Sequence, residues 1–358
     1  MIVVFIAWIR AFVIATLLTT SAILAALLIG ILIGHLLEGW RARRRQTLIA
    51  RYRSLVQTLV DPDRGEEAVE RLSRVPRWHR ELIAVELLAL VRVASGSVID
   101  RVRLAAVRLG FVKAWRQSLV NRRWWIRAEG ARALGCVRQA DAVADLVIRL
   151  EDEHEEVRAA AVEALGAIGD PRAVQPLVAG LSYESRLQRA RVVLALRSFG
   201  PAIVEPLLDY QRTHREATAT TADLLGQAGA VTAMDSITEW CADSRPDVRE
   251  AALRALGTLG PCDRTFYFAV KALSDHDAGV RAMAARAVGR SGRRDAAPYL
   301  AATLTDDWSV AVHAARGLRD LGPAGRLELE RASEGPAGDL VAQMLWELDR
   351  RNADRQAS

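Results

Sequence analysis

The stretch Val157-Arg158-Ala159-Ala160-Ala161-Val162-Glu163-Ala164-Leu165-Gly166, continued by Gly169-Asp170-Pro171-Arg172-Ala173-Val174, decides the fold. Val157, Val162, Leu165 and Ile168 fall on one face at helical period. Gly169 can take the left-handed conformation that ends a helix. Asp170 can then cap a second helix, and Pro171 suits its first turn. Val174, Leu177, Val178 and Leu181 give that second helix its own apolar stripe. Gly166 lies inside the first helix, where glycine costs ~1 kcal/mol relative to alanine; a close helix–helix approach explains its presence. Two helices this short cannot bury both stripes alone, so several copies must stack.

The copies are legible on both sides. Asn121-Arg127-Gly135, Asp152-Arg158-Gly166, Asp243-Arg249-Gly257 and Asp275-Arg281-Gly289 share one frame, with a polar residue six before the arginine and a glycine eight after it. Arg189 fits with Arg197 in the glycine slot, and the frame extends more weakly to Thr218 with Gly226 and Ala311 with Arg319. The period is 29 to 32 residues. A second glycine follows three residues later at Gly169, Gly200, Gly229, Gly260, Gly292 and Gly322, with Arg138 in that slot of the first copy. The residues Arg127, Asp152, Arg158, Arg189, Asp243, Arg249, Asp275 and Arg281 are expected to form an Asp–Arg ladder between neighbouring copies.

These phrases resemble HEAT-like repeats of the phycobilin-lyase type over roughly residues 121–333. The resemblance implies an all-α fold, a right-handed α-solenoid whose second helices line a concave surface. It does not imply lyase activity, because such repeats serve unrelated binding tasks.

Working outward, 61–120 reads as irregular helical repeats, with helices expected over 78–93, 98–109 and 111–120. A basic juxtamembrane helix is expected within 38–60, ended by Asp61-Pro62-Asp63, with Leu48, Ile49, Tyr52, Leu55, Val56 and Leu59 at helical spacing. Residues 334–358 form a capping helix and tail. Within 1–37, the run from Ala11 to Gly34 carries only Thr16, Thr19, Thr20 and Ser21 as polar side chains. At a rise of ~1.5 Å per residue it spans roughly 36 Å, enough for a hydrocarbon core of about 30 Å. Arg41, Arg43, Arg44 and Arg45 follow it, which sets that flank in the cytoplasm of a bacterial inner membrane, with the N-terminus outside. Ala22, Ala26, Gly30 and Gly34 recur every four residues, a ribbon suited to a second membrane helix.

Charge is uneven. The net charge is +6, yet residues 38–131 hold 20 Lys+Arg against 10 Asp+Glu, and residues 132–358 hold 28 against 33. The basic section is the membrane-proximal one. Within it Trp115-Arg116 and Arg122-Arg123-Trp124-Trp125 set arginine beside tryptophan, a composition suited to the membrane surface or to a protein partner. The mild acidity beyond residue 131 counts against a nucleic-acid groove. Tyr210, Trp240, Tyr267, Phe268, Tyr299 and Trp308 read as core fillers or concave-face residues. The sole His-Glu pair, His154-Glu155, cannot supply the several such pairs that hold the di-iron site of the HEAT-like deoxyhypusine hydroxylases. Cys136, Cys241 and Cys262 are odd in number and far apart, which points to a reducing compartment. No phosphate-binding loop or dinucleotide fingerprint occurs, and neither a cofactor nor a catalytic residue is expected.

The sequence therefore predicts a membrane-anchored interaction scaffold or regulatory subunit without catalysis, and an envelope-polysaccharide or glycosyltransferase assembly is one setting for it. An enzyme or enzyme-maturation factor of the phycobilin-lyase type, and a nucleic-acid binder, are the alternatives.

Overall fold

The structure is a computed structural model that describes residues 24, 27, 28, 30–33, 35, 40, 46–94, 96–260 and 262–357. The described residues are helical or in turns, with no strand among them. The chain divides into two compact units, Met1–Val112 and Lys113–Ser358.

In the first unit, residues 46–57 are helical and run into a 3-10 turn, Thr58–Val60, ended at Asp61. Tyr52, Val56 and Leu59 are buried along it. Helices α1 (Gly65–Ser73), α2 (Arg80–Val91) and α3 (Ser97–Arg108) follow. Leu72, Ile83, Leu87 and Val102 close a small core. Long arginines tie its loops. Arg101 donates to the Asp61 carbonyl at 3.1 Å, Arg80 donates to the Leu109 carbonyl at 2.8 Å, and Arg53 grips Glu86 with two bonds of 3.0 Å. The expected start at Trp78 falls instead in a 3-10 turn, Arg77–His79, because Pro76 holds extended backbone just before it.

Most of the expected membrane span lies outside the described residues, as do Ala22, Ala26 and Gly34. Among the described residues no helix is long and apolar enough to cross a membrane. A methyl group added at Gly30 would meet nothing within 4 Å among the described residues.

Helix α4 (Phe111–Ser118) bridges the two units in sequence, and the second unit then alternates two helix classes. The first class, glycine-bearing in every member but α9, comprises α5 (Trp124–Cys136), α7 (Glu155–Ile168), α9 (Arg186–Leu196), α11 (Thr218–Gln227), α13 (Pro246–Leu259), α15 (Ala278–Arg290) and α17 (Trp308–Asp320). Between them lie the shorter α6 (Val143–Ile148), α8 (Val174–Ala179), α10 (Val204–Thr213), α12 (Met234–Trp240), α14 (Asp263–Ala272), α16 (Ala297–Ala301) and α18 (Pro323–Arg331). Helix α19 (Gly338–Ala357) covers the last pair with Leu340, Val341, Met344 and Leu348.

The founding repeat behaves as its chemistry dictates. Val157, Val162 and Leu165 are buried from α7, and Val174, Leu177 and Val178 from α8. Gly169 ends α7 at φ 71°, and the Asp170 carboxylate accepts the Arg172 amide at 2.9 Å. Left-handed backbone recurs at every second glycine, and at Arg138 where the glycine is missing (φ 50°).

Successive glycine-bearing helices nearly touch. A Cβ at Gly166 would lie 2.8 Å from that of Ala195, and one at Gly135 would lie 2.5 Å from the Ala164 Cα. The short helices touch one another far less. Within this unit the glycine-bearing helices form the more closely packed layer, because their seams carry little side-chain bulk.

Candidate partner-binding edge

The aromatic–arginine cluster gathers where α5 begins. Asn121 Oδ1 accepts the Arg123 amide at 2.9 Å, and Arg127 Nη1 donates to the carbonyls of Asn121 at 2.9 Å and Arg122 at 3.2 Å. This clasp fixes the approach to the helix and leaves Arg122 and Arg123 exposed. The Arg123 guanidinium stands 5.5 Å from the centre of the Trp125 ring, a cation–π arrangement. Trp125 is 49% exposed and meets Trp124 edge-on at 6.0 Å. Trp124 turns inward and stacks on His154 with ring centres 5.1 Å apart. Of the remaining expected members, Trp115 is half-buried and Arg116 is neutralised by Asp145 at 2.6 Å. Arg41, Arg43, Arg44 and Arg45 lie outside the described residues.

Two apolar neighbours were not foreseen: Val120, 77% exposed, and Ile148, 61% exposed. They line a cleft of about 480 Å³ with Asn121, Arg149, Glu151 and Glu153. Ile148 shares a helix with the buried Val143 and Leu146, and only a count of helical phase would have put it outside. The cleft thus carries Val120 and Ile148 among charges of both signs, with the buried Arg127–Asp152 pair also lining it, and Trp125 stands exposed nearby in sequence at the start of α5.

Behind it stands the ladder. Arg127 grips Asp152 with two bonds, Arg249 grips Asp275 at 2.8 and 2.8 Å, and Arg281 grips Asp306 at 2.7 and 2.8 Å. In each case Nη1 also holds the carbonyls at the start of its own repeat. The ladder is interrupted in the middle. Arg158 Nη1 holds the carbonyls of Asp152 and Glu153, but towards the next repeat it reaches only Gln188, at 3.4 Å, because Tyr183 occupies the place of the next aspartate. Arg189 holds its own loop through Tyr183 and Glu184 but grips no aspartate. Asp243 turns to Arg245 at 3.2 Å, since Thr218 replaces the arginine of the preceding repeat. The continuous ladder expected through Arg158, Arg189 and Asp243 is therefore corrected to two separate runs.

The later aromatics divide. Trp240 is buried, Tyr210 and Phe268 are half-buried, and Tyr210 stacks on His214 at 4.0 Å. Tyr267, Tyr299 and Trp308 are exposed at 63%, 46% and 73%; the first two stand on the short helices and Trp308 opens α17. Among the described residues no group of His, Cys, Asp and Glu is placed to hold a metal ion. None of the three cysteines is in a disulfide, and burial pushes the Cys241 thiol up to about 12.

Residues 112–199 and 234–319 match the family model for HEAT repeats. The segment between them contains the repeat in which Thr218 replaces the ladder arginine. No curated protein matches the chain. Among solved structures, the karyopherin Kap121p bound to the SUMO protease Ulp1p superposes with a TM-score of 0.50 at 13% identity, covering 79% of this chain and 38% of that one. The CpcE–CpcF complex of phycocyanin lyase from Nostoc sp. PCC7120 is 23% identical with a TM-score of 0.33, covering 66% of this chain and 94% of that one. An engineered protein is 19% identical with a TM-score of 0.39, over 83% and 98% of the two chains. The likeness to Kap121p is one of fold, that of a helical solenoid.

Proposed function

We propose that this chain is a non-catalytic scaffold, anchored in the bacterial inner membrane by its N-terminal apolar run, whose repeats hold a protein partner on the cytoplasmic side. The observations that carry the reading are the exposed Trp125 with Arg123 over its ring at the start of α5, and the exposed Val120 and Ile148 of the cleft that leads into it, which we take as one edge. Large apolar side chains left exposed together mark interaction surfaces, and tryptophan and arginine dominate binding hot spots. The HEAT-repeat solenoid supports it, since such solenoids commonly bind proteins; the matched karyopherin is seen with a protein partner. The anchor is supported by the sequence of residues 11–34 and by the exposure of Leu24, Leu27, Leu28, Ile31, Leu32 and Ile33, all helical and each exposed by half or more. Tethering raises the effective concentration at the membrane, so the edge needs only modest intrinsic affinity. An envelope-polysaccharide or glycosyltransferase assembly remains our proposed setting.

The test is co-purification of the full chain from membranes in mild detergent, with quantitative comparison of what accompanies it. A membrane-associated protein retained by the wild type and lost from Arg122→Ala/Arg123→Ala/Trp125→Ala supports the scaffold. Identical companions for the two chains would reject this edge as the binding surface. Trp124 is left intact because its ring packs on His154.

A further inference from the structure

The seam between α15 and α17 differs from every earlier seam in its charge. Five residues after the ladder position, successive glycine-bearing helices carry Arg132, Glu163, Leu194, Asp223, Arg254, Arg286 and Arg316. The earlier arginines meet acids. Arg254 is held by Asp223 at 2.7 Å and Glu250 at 2.5 Å, and Arg132 lies 3.6 Å from Glu156. At the last two positions arginine follows arginine. Among the described residues neither Arg286, nor Arg316, nor Arg290 one turn beyond Arg286 forms an ion pair.

These three side chains converge on one cavity of about 460 Å³ with His313, Arg319 and Asp320. Its floor is a close backbone contact between two glycines, since a Cβ at Gly289 would lie 2.6 Å from the Gly317 Cα, and neither residue sends a side chain into the space. Asp320, the one carboxylate lining the cavity, is held by Arg319 at 3.0 Å, and Arg319 is also paired with Glu347. The acid at the rim is thus already engaged. Burial, with Arg286 and Arg316 beside it, pushes the His313 imidazole below its usual range, so no further positive charge is added at neutral pH.

Three guanidiniums around an open space repel one another, and an arrangement that costs stability in the free protein points to a ligand. Guanidinium forks match phosphate oxygens with paired hydrogen bonds. The volume lies in the range of small-molecule sites, roughly 300–1,000 Å³, and is too confined for a folded partner. We infer that the seam between α15 and α17 binds a soluble small molecule bearing a diphosphate or phosphate monoester, held by Arg286, Arg290 and Arg316.

Calorimetric titration of the full chain in detergent with inorganic pyrophosphate tests this, alongside a tri-glutamate peptide and vesicles containing phosphatidic acid. The expected result is saturable pyrophosphate binding that Arg286→Gln/Arg316→Gln weakens at least tenfold. The control Arg215→Gln/Arg294→Gln, at exposed sites elsewhere, should leave it unchanged. Neither double variant should melt below the wild type, since none of the four arginines holds an ion pair, and Arg286→Gln/Arg316→Gln, which relieves the repulsion, should melt somewhat above it. No heat with millimolar pyrophosphate, or an equal loss in the control, overturns the site. Tri-glutamate binding more tightly than pyrophosphate would make it a docking point for an acidic peptide, and Arg286-dependent capture by the vesicles without pyrophosphate binding would make it a lipid site. Either outcome rejects the soluble ligand.

Discussion

Arg127 reaches Asp152 of the following repeat through two parallel hydrogen bonds, Nε to Oδ2 at 2.9 Å and Nη2 to Oδ1 at 2.7 Å, with side chains only 7% and 2% exposed. Removing one partner strands the other charge in a poorly solvated place, which costs on the order of 3 kcal/mol. Asp152→Asn also weakens the contacts of that carboxylate to Arg149 and to the His154 amide. Urea titration should show a clear drop in midpoint for Asp152→Asn. Asp209→Asn, whose exposed Arg212 pair sits within one helix, should show almost none.

Acid should unfold the ladder before neutral conditions strain anything else. Arg249 and Arg281 hold Asp275 and Asp306 below the usual carboxylate range. Burial pushes Asp152 up, yet Arg127, the His154 amide and Arg149 together bring it below that range. A carboxyl with a depressed folded pKa contributes its full stability above the unfolded value, about 3.9, and loses it as the pH falls through the folded value. Asp223 opposes the trend, since burial raises it. Denaturation midpoints should hold steady from about pH 7 to 5 and fall steeply below about pH 4. Asp152→Asn should flatten that fall, and an unchanged slope would remove the ladder from the acid response.

The seam glycines should not be equivalent. Gly166→Leu drives a side chain into Ala195 and should cost ~1–3 kcal/mol. At Gly257 an added Cβ would lie 3.5 Å from Ala287, an ordinary contact. Gly257→Ala should therefore keep the seam and gain up to ~1 kcal/mol of helix propensity. Thermal melts of the two variants, moving in opposite directions, check the close-approach argument.

Arg138 carries left-handed backbone that every other repeat assigns to glycine. For a residue with a Cβ this conformation costs roughly 1–2 kcal/mol. Arg138→Gly should raise the melting temperature, offset partly by the greater freedom of glycine in the unfolded chain.

The repeats were legible because each slot answers a separate physical demand. Gly169 must be left-handed, Gly166 must be small, and Val157 and Leu165 must be buried. The ladder was legible only in part. Its arginines can be read from spacing, but whether Asp243 or Tyr183 meets one depends on what the neighbouring repeat presents, which no single repeat contains. At the edge, Trp124 and Trp125 are adjacent letters with opposite fates, one stacked on His154 and the other exposed. The Arg286–Arg316 seam was missed because its signal is the absence of an acid one repeat away.

The central claim, a membrane-tethered scaffold that works through the edge at the start of α5, is tested most directly by crosslinking in living bacterial cells. A photoreactive amino acid replaces Ile148 in the full chain, and for comparison Leu194, which is also exposed (65%) but lies outside the edge. The account predicts a covalent adduct between position 148 and a membrane protein, absent at position 194 and lost with Arg122→Ala/Arg123→Ala/Trp125→Ala. Adducts that form equally at both positions, or at 148 only with soluble proteins after the chain is recovered away from membranes, would contradict it.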